Sequence, residues 1–597
     1  MNKLRDTIQK LGVLLNKRDK KKLLLLFFMM ILAAIFETAG IGLIVPFVGI
    51  VTNATIIQKQ PFLSTVYQML NFQSTNTFIL FAVVCLLTVY IVKNAYLLFF
   101  YSVQYKVILN QKVKLSRTMF KLYLTKPYIF HLQRNSAELL RNVNGEVGKV
   151  FDGILLAGFQ LLTEILIMTF ILTLLIVTAP LATLTSGVLL GGSVLLFFKI
   201  FRDKITHLGI ENQKVSREMI KWVNQGLGAS KEIKVSGKES YFVNSYANQS
   251  QVMANNTIYK NTLDQIPRLF IETLLVSVVL ITMVIIVFQG TETSTLVATM
   301  SLFAMAAFRL MPSINRIVAT ITSIRFSQPA LTVVYDDLIK DNYGKNPIQE
   351  DVTNELKSEK LNTGEKIFRN SIKLENVYFR YPNQKEYSIR NLSLTIPNGH
   401  SVAFVGTSGA GKTTIVDIIL GLFEPEMGRI VVDGKDLNEL MPIWKNKIGY
   451  IPQSIYLSDE TIRNNVAFGI NDQDIDDFAV QKAIDDAQLK DFIDTLPEGI
   501  NTVVGERGVR LSGGQRQRIG IARALYHNPE IIFLDEATSA LDNETEKEIM
   551  KAIDGLKGEK TLIIIAHRLS TIENCDIVFK VDKGKLISAD NKLRQSI

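Results

Sequence analysis

Residues 406–413 read Gly-Thr-Ser-Gly-Ala-Gly-Lys-Thr. This fits G-x-x-x-x-G-K-[ST], a loop whose backbone N–H groups close around phosphate oxygens. The residues that would touch phosphate are Gly406, Thr407, Ser408, Gly409, Ala410, Gly411, Lys412, Thr413 and Thr414. An apolar run, Val402 to Val405, precedes the loop and predicts a buried strand. Thr413 to Leu420 predicts a helix, whose N-terminus adds partial positive charge. Lys412 is expected to reach the β- and γ-phosphates, and the Thr413 hydroxyl to bind Mg²⁺. A ligand-free glycine-rich turn is the plain alternative, and the flanking strand and helix argue against it. Further on, Ile531-Ile-Phe-Leu runs into Asp535-Glu536. Asp535 would hold Mg²⁺ through water, and Glu536 would orient or deprotonate an attacking water. Leu511-Ser512-Gly513-Gly514-Gln515 lies between these two sites.

In that order the pieces resemble the nucleotide-binding domain of ABC transporters, over the C-terminal third of the chain. Tyr381 resembles the aromatic that stacks on adenine. Gln453 resembles the Q-loop glutamine, which senses Mg²⁺ and the membrane domain. Val504-Gly-Glu-Arg-Gly508 resembles the X-loop of exporters, and Ser539-Ala-Leu-Asp542 the D-loop. His567 resembles the switch histidine that contacts the γ-phosphate. Residues 511–515 match the family signature. The resemblance implies that ATP is sandwiched between Gly406–Thr414 of one copy and Ser512, Gly513, Gly514 and Gln515 of another. No element departs from the hydrolysis-competent pattern. The other histidines, His131, His207, His400 and His527, suit solvated or capping roles.

The remainder of the 597 residues is of a different kind. Charged residues are only 20% of the chain and mean hydropathy is +0.20. The two cysteines, Cys85 and Cys575, cannot build a disulfide framework. A net charge of +10 could point to nucleic acid, but its distribution points to a membrane. Six apolar runs predict transmembrane helices at about 23–51, 77–103, 152–178, 181–199, 269–289 and 294–312. Lys and Arg crowd residues 1–22, 104–150 and 200–267, whereas the connections at 52–76, 179–180 and 290–293 hold only Lys59. The positive-inside rule therefore places the N-terminus and the ATPase in the cytoplasm. The first apolar run is too long for a cleavable signal. Exporter-type ABC proteins touch their ATPase with short coupling helices, and residues 135–140 and 226–231 are the candidates here. The polar stretch 338–370 reads as a linker.

Ionisable residues inside membrane helices are costly and mark function by default. Lys93, Arg268 and Arg309 fall at ~24, ~30 and ~22 Å from the outer ends of their helices, at 1.5 Å per residue. Two copies would offer six positive charges to a phosphate or pyrophosphate headgroup. Alternatively, these residues snorkel to lipid headgroups, and Arg268 pairs with Glu272. Glu37 and Glu164 are expected to pair between helices. In the outer connection, Phe62, Leu63, Val66, Met69 and Leu70 line one helical face. That helix either lies on the membrane surface or packs on its neighbours.

Residues 37–47, 266–272 and 308–317 are similar to segments of the bacterial lipid-linked oligosaccharide flippases. The resemblance implies ATP-driven flipping of a polyprenyl-pyrophosphate glycan, with Lys93, Arg268 and Arg309 as a charged belt. The expected fold is an α-helical membrane domain of six helices (a type IV ABC exporter) joined to an α/β P-loop ATPase. The expected domains are 1–337, linker 338–370 and 371–597. One P-loop and one six-helix set predict a half-transporter, most simply a homodimer in a bacterial inner membrane, using ATP and Mg²⁺ and no nucleic acid. The alternatives are a lipid or multidrug exporter of the same fold and a non-transporting ABC ATPase.

Overall fold

The computed structural model describes residues 2–52, 57, 60–178, 180–288, 293–339, 368–505, 508–535, 543–566, 568 and 572–591. The chain forms two compact units. The first comprises Met1–Lys126 and His131–Asp351, and the second Pro127–Phe130 and Val352–Ile597.

The first unit is helical. The chain's principal helices before the second unit's strands are α1 (Asn2–Leu14), α2 (Lys17–Gly42), α3 (Ile44–Thr52), α4 (Pro61–Met69), α5 (Thr75–Thr125), α6 (Tyr128–Gln133, whose first three residues belong to the second unit), α7 (Ser136–Arg141), α8 (Ala157–Thr178), α9 (Pro180–Gly228), α10 (Ser230–Ser236), α11 (Glu239–Phe288) and α12 (Thr293–Ile339). Helices α5, α9, α11 and α12 run through four of the six expected spans, the span 23–51 is divided between α2 and α3 at Leu43, and the span 152–178 begins in a π-helical stretch that leads into α8. Among the described residues, four helical stretches are long and apolar enough to cross a membrane: Lys17–Gly40, Thr75–Thr125, Ser136–Leu174 and Met311–Ile339. Helix α5 has 51 residues, a length of ~77 Å at 1.5 Å per residue. A bilayer core needs only ~30 Å of that. The long helices therefore continue well beyond the membrane.

Polar side chains pin these extensions together. The Tyr123 hydroxyl donates to Asp337 at 2.5 Å, and the Asn142 amide donates to the same carboxylate at 3.0 Å. Gln213 donates to Glu146 at 2.8 Å. The two carboxylates expected to pair between helices do so. Glu37 of α2 meets Lys93 of α5 at 3.0 Å, and Glu164 of α8 meets Arg316 of α12 at 2.5 Å. In hydrocarbon an unpaired charge is costly, so these pairs also fix helix register.

One open choice is narrowed and one expectation is corrected. The apolar face of the outer helix α4 is split. Leu63, Val66 and Tyr67 pack with Ile50, Ile57 and Phe78, whereas Met69 is 84% exposed. The segment that joins the ATPase unit is Pro127–Phe130, upstream of 135–140. Tyr128 sits 5.9 Å from Phe423, ring centre to ring centre, and Ile129 packs on the ATPase core. Residues 135–140 instead form the start of α7, capped by the Asn135 side chain. Residues 226–231 span the junction of α9 and α10.

The second unit holds two sheets. Strands β1 (Ser371–Phe379), β2 (Ile389–Pro397), β4 (Met427–Val432) and β5 (Lys435–Asp436) form an antiparallel sheet in the order β2-β1-β4-β5. The other has six strands in the order β10-β9-β3-β8-β7-β6. These are β3 (Ser401–Val405), β6 (Ile448–Ile451), β7 (Ile531–Asp535), β8 (Thr561–Ile565), β9 (Ile577–Asp582) and β10 (Lys585–Asn591). β9, β3, β8, β7 and β6 are parallel, so the carboxyl ends of β3 and β7 emerge on one edge. Residues 340–367, most of the expected linker, lie outside the described residues.

Helices α9 and α12 approach closely at Gly209. A Cβ there would lie 2.2 Å from the Phe326 carbonyl oxygen. Gly209→Ala should force the two backbones apart, and overpacking of this kind costs about 1–3 kcal/mol. A lower thermal unfolding temperature of the detergent-solubilised protein is expected, and an unchanged one would contradict the close approach.

Candidate functional site

The phosphate loop leaves β3 and enters α13 (Lys412–Ile419) as the sequence predicts. Glycine is needed at two of its turns. Gly411 caps α13 at φ 103, where a side chain would be strained, and a Cβ on Gly406 would meet the Val581 carbonyl oxygen at 2.1 Å. Lys412 is buried, and its ammonium donates to the carbonyl oxygens of Gly406 and Thr407 at 2.9 and 3.1 Å. The loop opens on a cavity of about 550 Å³. Tyr381, Gln384, Arg390, Ser408 to Thr414 and Lys583 are among its lining residues. The sequence reading names Tyr381 and the loop but misses Gln384, Arg390 and Lys583. These three belong to no motif, and only the folded turns bring them to the loop.

Tyr381 is half-buried. Its ring meets Phe379 and Phe423 edge-on, and its hydroxyl shares a 3.0 Å hydrogen bond with the Thr414 hydroxyl. Burial pushes the phenol pKa up. The ring is thus held on the cavity wall by packing and by the loop itself.

Asp535 ends β7 on the same sheet edge and accepts a hydrogen bond from Tyr450. Asp417, one turn into α13, is pushed up to about 6, first by burial and second by the Asp535 charge. Gln453 follows β6 and is exposed. A hydroxyl, a carboxylate and an amide oxygen (Thr413, Asp535 and Gln453) are hard donors of the kind Mg²⁺ accepts beside phosphate oxygens. Among the described residues no cluster of three His, Cys, Asp or Glu is assembled, and Mg²⁺ bound in this manner needs none.

Ser512 to Gln515 begin the 13-residue helix α14 (Gly513–Leu525). The Ser512 hydroxyl accepts from the Gln515 N–H at 3.3 Å, and the Gln515 side chain accepts from the Ser512 N–H at 2.9 Å. This capping box uses up two donors and fixes the turn. Ser512 and Gly513 are exposed, so the helix N-terminus faces outward and can accept an anion. No residue of 511–515 lines the cavity among the described residues. The P-loop and the signature of one chain are thus two separate helix N-termini.

Glu536, Asp542, His567 and two X-loop residues, Glu506 and Arg507, lie outside the described residues, as do the side chains of Arg268 and Arg309. The backbones of Arg268 and Arg309 are helical, in α11 and α12. Lys93 is described, and its ammonium is engaged by Glu37 and lies 4.7 Å from the Tyr90 ring centre. Among the other histidines, His400 is close to the expectation, with its Nδ1 2.9 Å from the Asn398 carbonyl oxygen.

Comparison with known proteins decides the family. Residues 23–311 match the ABC transporter transmembrane region, and residues 389–539 match the ABC transporter family. The chain is 32% identical over 492 residues to an ATP-dependent lipid A-core flippase of Ralstonia nicotianae, covering 81% of this chain and 79% of that protein. The chain belongs to the ABC transporters. A similar flippase of Saccharophagus degradans is 33% identical over 500 residues, covering 81% of this chain and 79% of that protein. A bacterial Atm1-family ABC exporter solved with ATP bound shares the fold, with a TM-score of 0.75, 23% identity and 96% of each chain covered. This ABC transporter therefore has the type IV exporter fold and is an exporter-type half-transporter. Its ATPase domain is cytoplasmic, and ATP hydrolysis is coupled to transport.

The Asp417 shift has a stability consequence. Its folded pKa exceeds the ordinary 3.8, so its charge costs stability above about pH 6 and costs nothing below about pH 4. Asp417→Asn should raise the thermal unfolding temperature of the nucleotide-free, Mg²⁺-free protein above pH 6, and the gain should vanish toward pH 4. A gain independent of pH would contradict it.

Proposed function

We propose that two copies of this transporter form a homodimer that flips a polyprenyl-pyrophosphate-linked oligosaccharide from the inner to the outer leaflet of a bacterial inner membrane. The observation that carries the dimer is the separation of the two anion-binding helix ends in one chain. A second copy supplies the signature that one copy's cavity lacks. Tyr381 stacks on adenine. Gly406 to Gly411, with Lys412 and Thr414, hold the phosphates. Thr413, Asp535 and Gln453 hold Mg²⁺, which neutralises charge on the transferring phosphate. The partner's signature helix adds a second helix N-terminus to the γ-phosphate, with Asp542 at the shared boundary. Glu536 orients and deprotonates the attacking water, and His567 contacts the γ-phosphate.

The lipid character of the cargo is supported by the full-length relatives, which are named for flipping lipid A-core. The pyrophosphate headgroup is supported by Lys93, Arg268 and Arg309 and by the flippase-like segments around them. The Lys93–Glu37 pair refines this reading. A headgroup either displaces Glu37 from Lys93 or engages Arg268 and Arg309 while the pair stays closed. Lipid A-core is the second reading, since its phosphates make the same demand.

Reconstitution into liposomes with labelled polyprenyl-pyrophosphate oligosaccharide or with labelled lipid A-core separates the two. ATP-dependent flipping of the first and not the second is expected, and the reverse would overturn the cargo. The Glu536→Gln variant should bind ATP but lose about 10²-fold or more in hydrolysis. Near-normal turnover would remove Glu536 from its role. The triple Lys93→Ala, Arg268→Ala, Arg309→Ala variant should lose flipping while keeping basal ATPase, and unimpaired flipping would sink the charged belt.

A further inference from the structure

The turn between β9 and β10 lies against the phosphate loop. The Gly584 N–H donates to the Ala410 carbonyl oxygen at 2.9 Å, and the Arg390 N–H donates to the Gly584 carbonyl oxygen at 2.9 Å. A Cβ on Gly584 would lie 2.2 Å from the Ser388 carbonyl oxygen, so β2 and this turn are locked together. Arg390 is thereby rooted one hydrogen bond from Gly584 and Lys583 is its chain neighbour, and both residues line the cavity. The charged residues of that lining are Lys412, Arg390, Lys583 and a single carboxylate, Glu386. Three cations against one carboxylate exceed what Lys412 alone supplies.

Arg390 is held away from full availability. Its guanidinium donates to Glu386 at 2.8 Å and to the Tyr387 carbonyl oxygen at 3.1 Å. The Glu386 side chain is 86% exposed, and an exposed pair of this type contributes little and is readily exchanged. Lys583 sits at a positive φ of 46 and makes no ion pair among the described residues. The terminal phosphates already have the loop amides, Lys412 and the N-terminus of α13. Besides Lys412, the cations among the cavity's lining residues are Arg390 and Lys583.

We propose that Arg390 and Lys583 form a second cationic wall that binds the nucleotide's inner, ribose-proximal phosphate, and that Glu386 is the counter-ion Arg390 gives up on binding. This deepens the reading of the cavity as the ATP site and rests on it. Arginine suits the task because its planar fork can hold two phosphate oxygens at once. Glu386 acts through Arg390 and is a positioning residue.

The test is equilibrium binding of ADP and of adenosine to the full-length detergent-solubilised protein. Arg390→Ala should weaken ADP about three- to tenfold and leave adenosine unchanged, and Arg390→Lys should recover part of the loss. Lys583→Ala should weaken ADP in the same selective way. Glu386→Gln should tighten ADP about twofold, the opposite sign, because the competing carboxylate is gone. ADP binding unchanged in Arg390→Ala, or equal losses of ADP and adenosine, overturns the inference while the site reading survives. Failure of the wild-type protein to bind ADP overturns the site reading and the inference together.

Discussion

A triphosphate is a dense polyanion, and the ATPase half answers it with the partial positive charge of helix N-termini. One such end is the start of the helix Lys412–Ile419, reached through a loop that only glycine can close at Gly406 and Gly411. The other is the start of Gly513–Leu525, where Ser512 and Gln515 satisfy each other and leave the Gly513 end presented to solvent. Among the described residues, none of 511–515 lines the P-loop cavity. That separation supports the proposed composite site, in which a second copy completes each cavity and nucleotide acts as glue between copies. The rest of the domain serves the geometry. The parallel strands set the loop and Asp535 on one edge, and Tyr381 closes the cavity from the wall.

The membrane half is governed by the cost of charge in hydrocarbon. Its helices carry ionisable residues, and two pairs of opposite charge among those described meet across helices. Lys93 with Glu37 and Arg316 with Glu164 each join two helices that are distant in sequence. Such pairs are weak sources of net stability, since desolvation offsets much of the attraction. They do penalise any register in which one partner is left alone. Below the membrane, where water is available, the same helices are tied by hydrogen bonds around Asp337 and Glu146.

What could be read from the residues alone divides along physical lines. The P-loop and the Asp535 strand were legible because each is local. A glycine pattern dictates its own turn, and an apolar run dictates a buried strand. The six spans were legible because a bilayer demands an unbroken apolar length. The Lys93–Glu37 pair was visible only as two costly residues, since its partners come from different helices. Lys583 was missed because it sits in the β9–β10 turn, far from the P-loop in sequence, and Arg390 because it sits on β2, which is tied to that turn through Gly584. The segment Pro127–Phe130 was missed because its signal is two apolar side chains, Tyr128 and Ile129, finding the ATPase core. The outer helix was legible as a helix, but spacing shows only which residues share a face, not how much of that face neighbours cover.

The central claim is that each ATP site takes its P-loop from one copy and its signature from the other. Co-assembly of two inactive variants, Lys412→Ala and Ser512→Arg, tests it directly. Each variant alone forms dimers in which both composite sites are broken. In a mixed dimer one site carries both lesions, and the other pairs an intact P-loop with an intact signature. The result predicted is ATP hydrolysis in the mixed preparation well above either parent. Activity no higher than the parents would contradict the composite site and the dimer mechanism built on it.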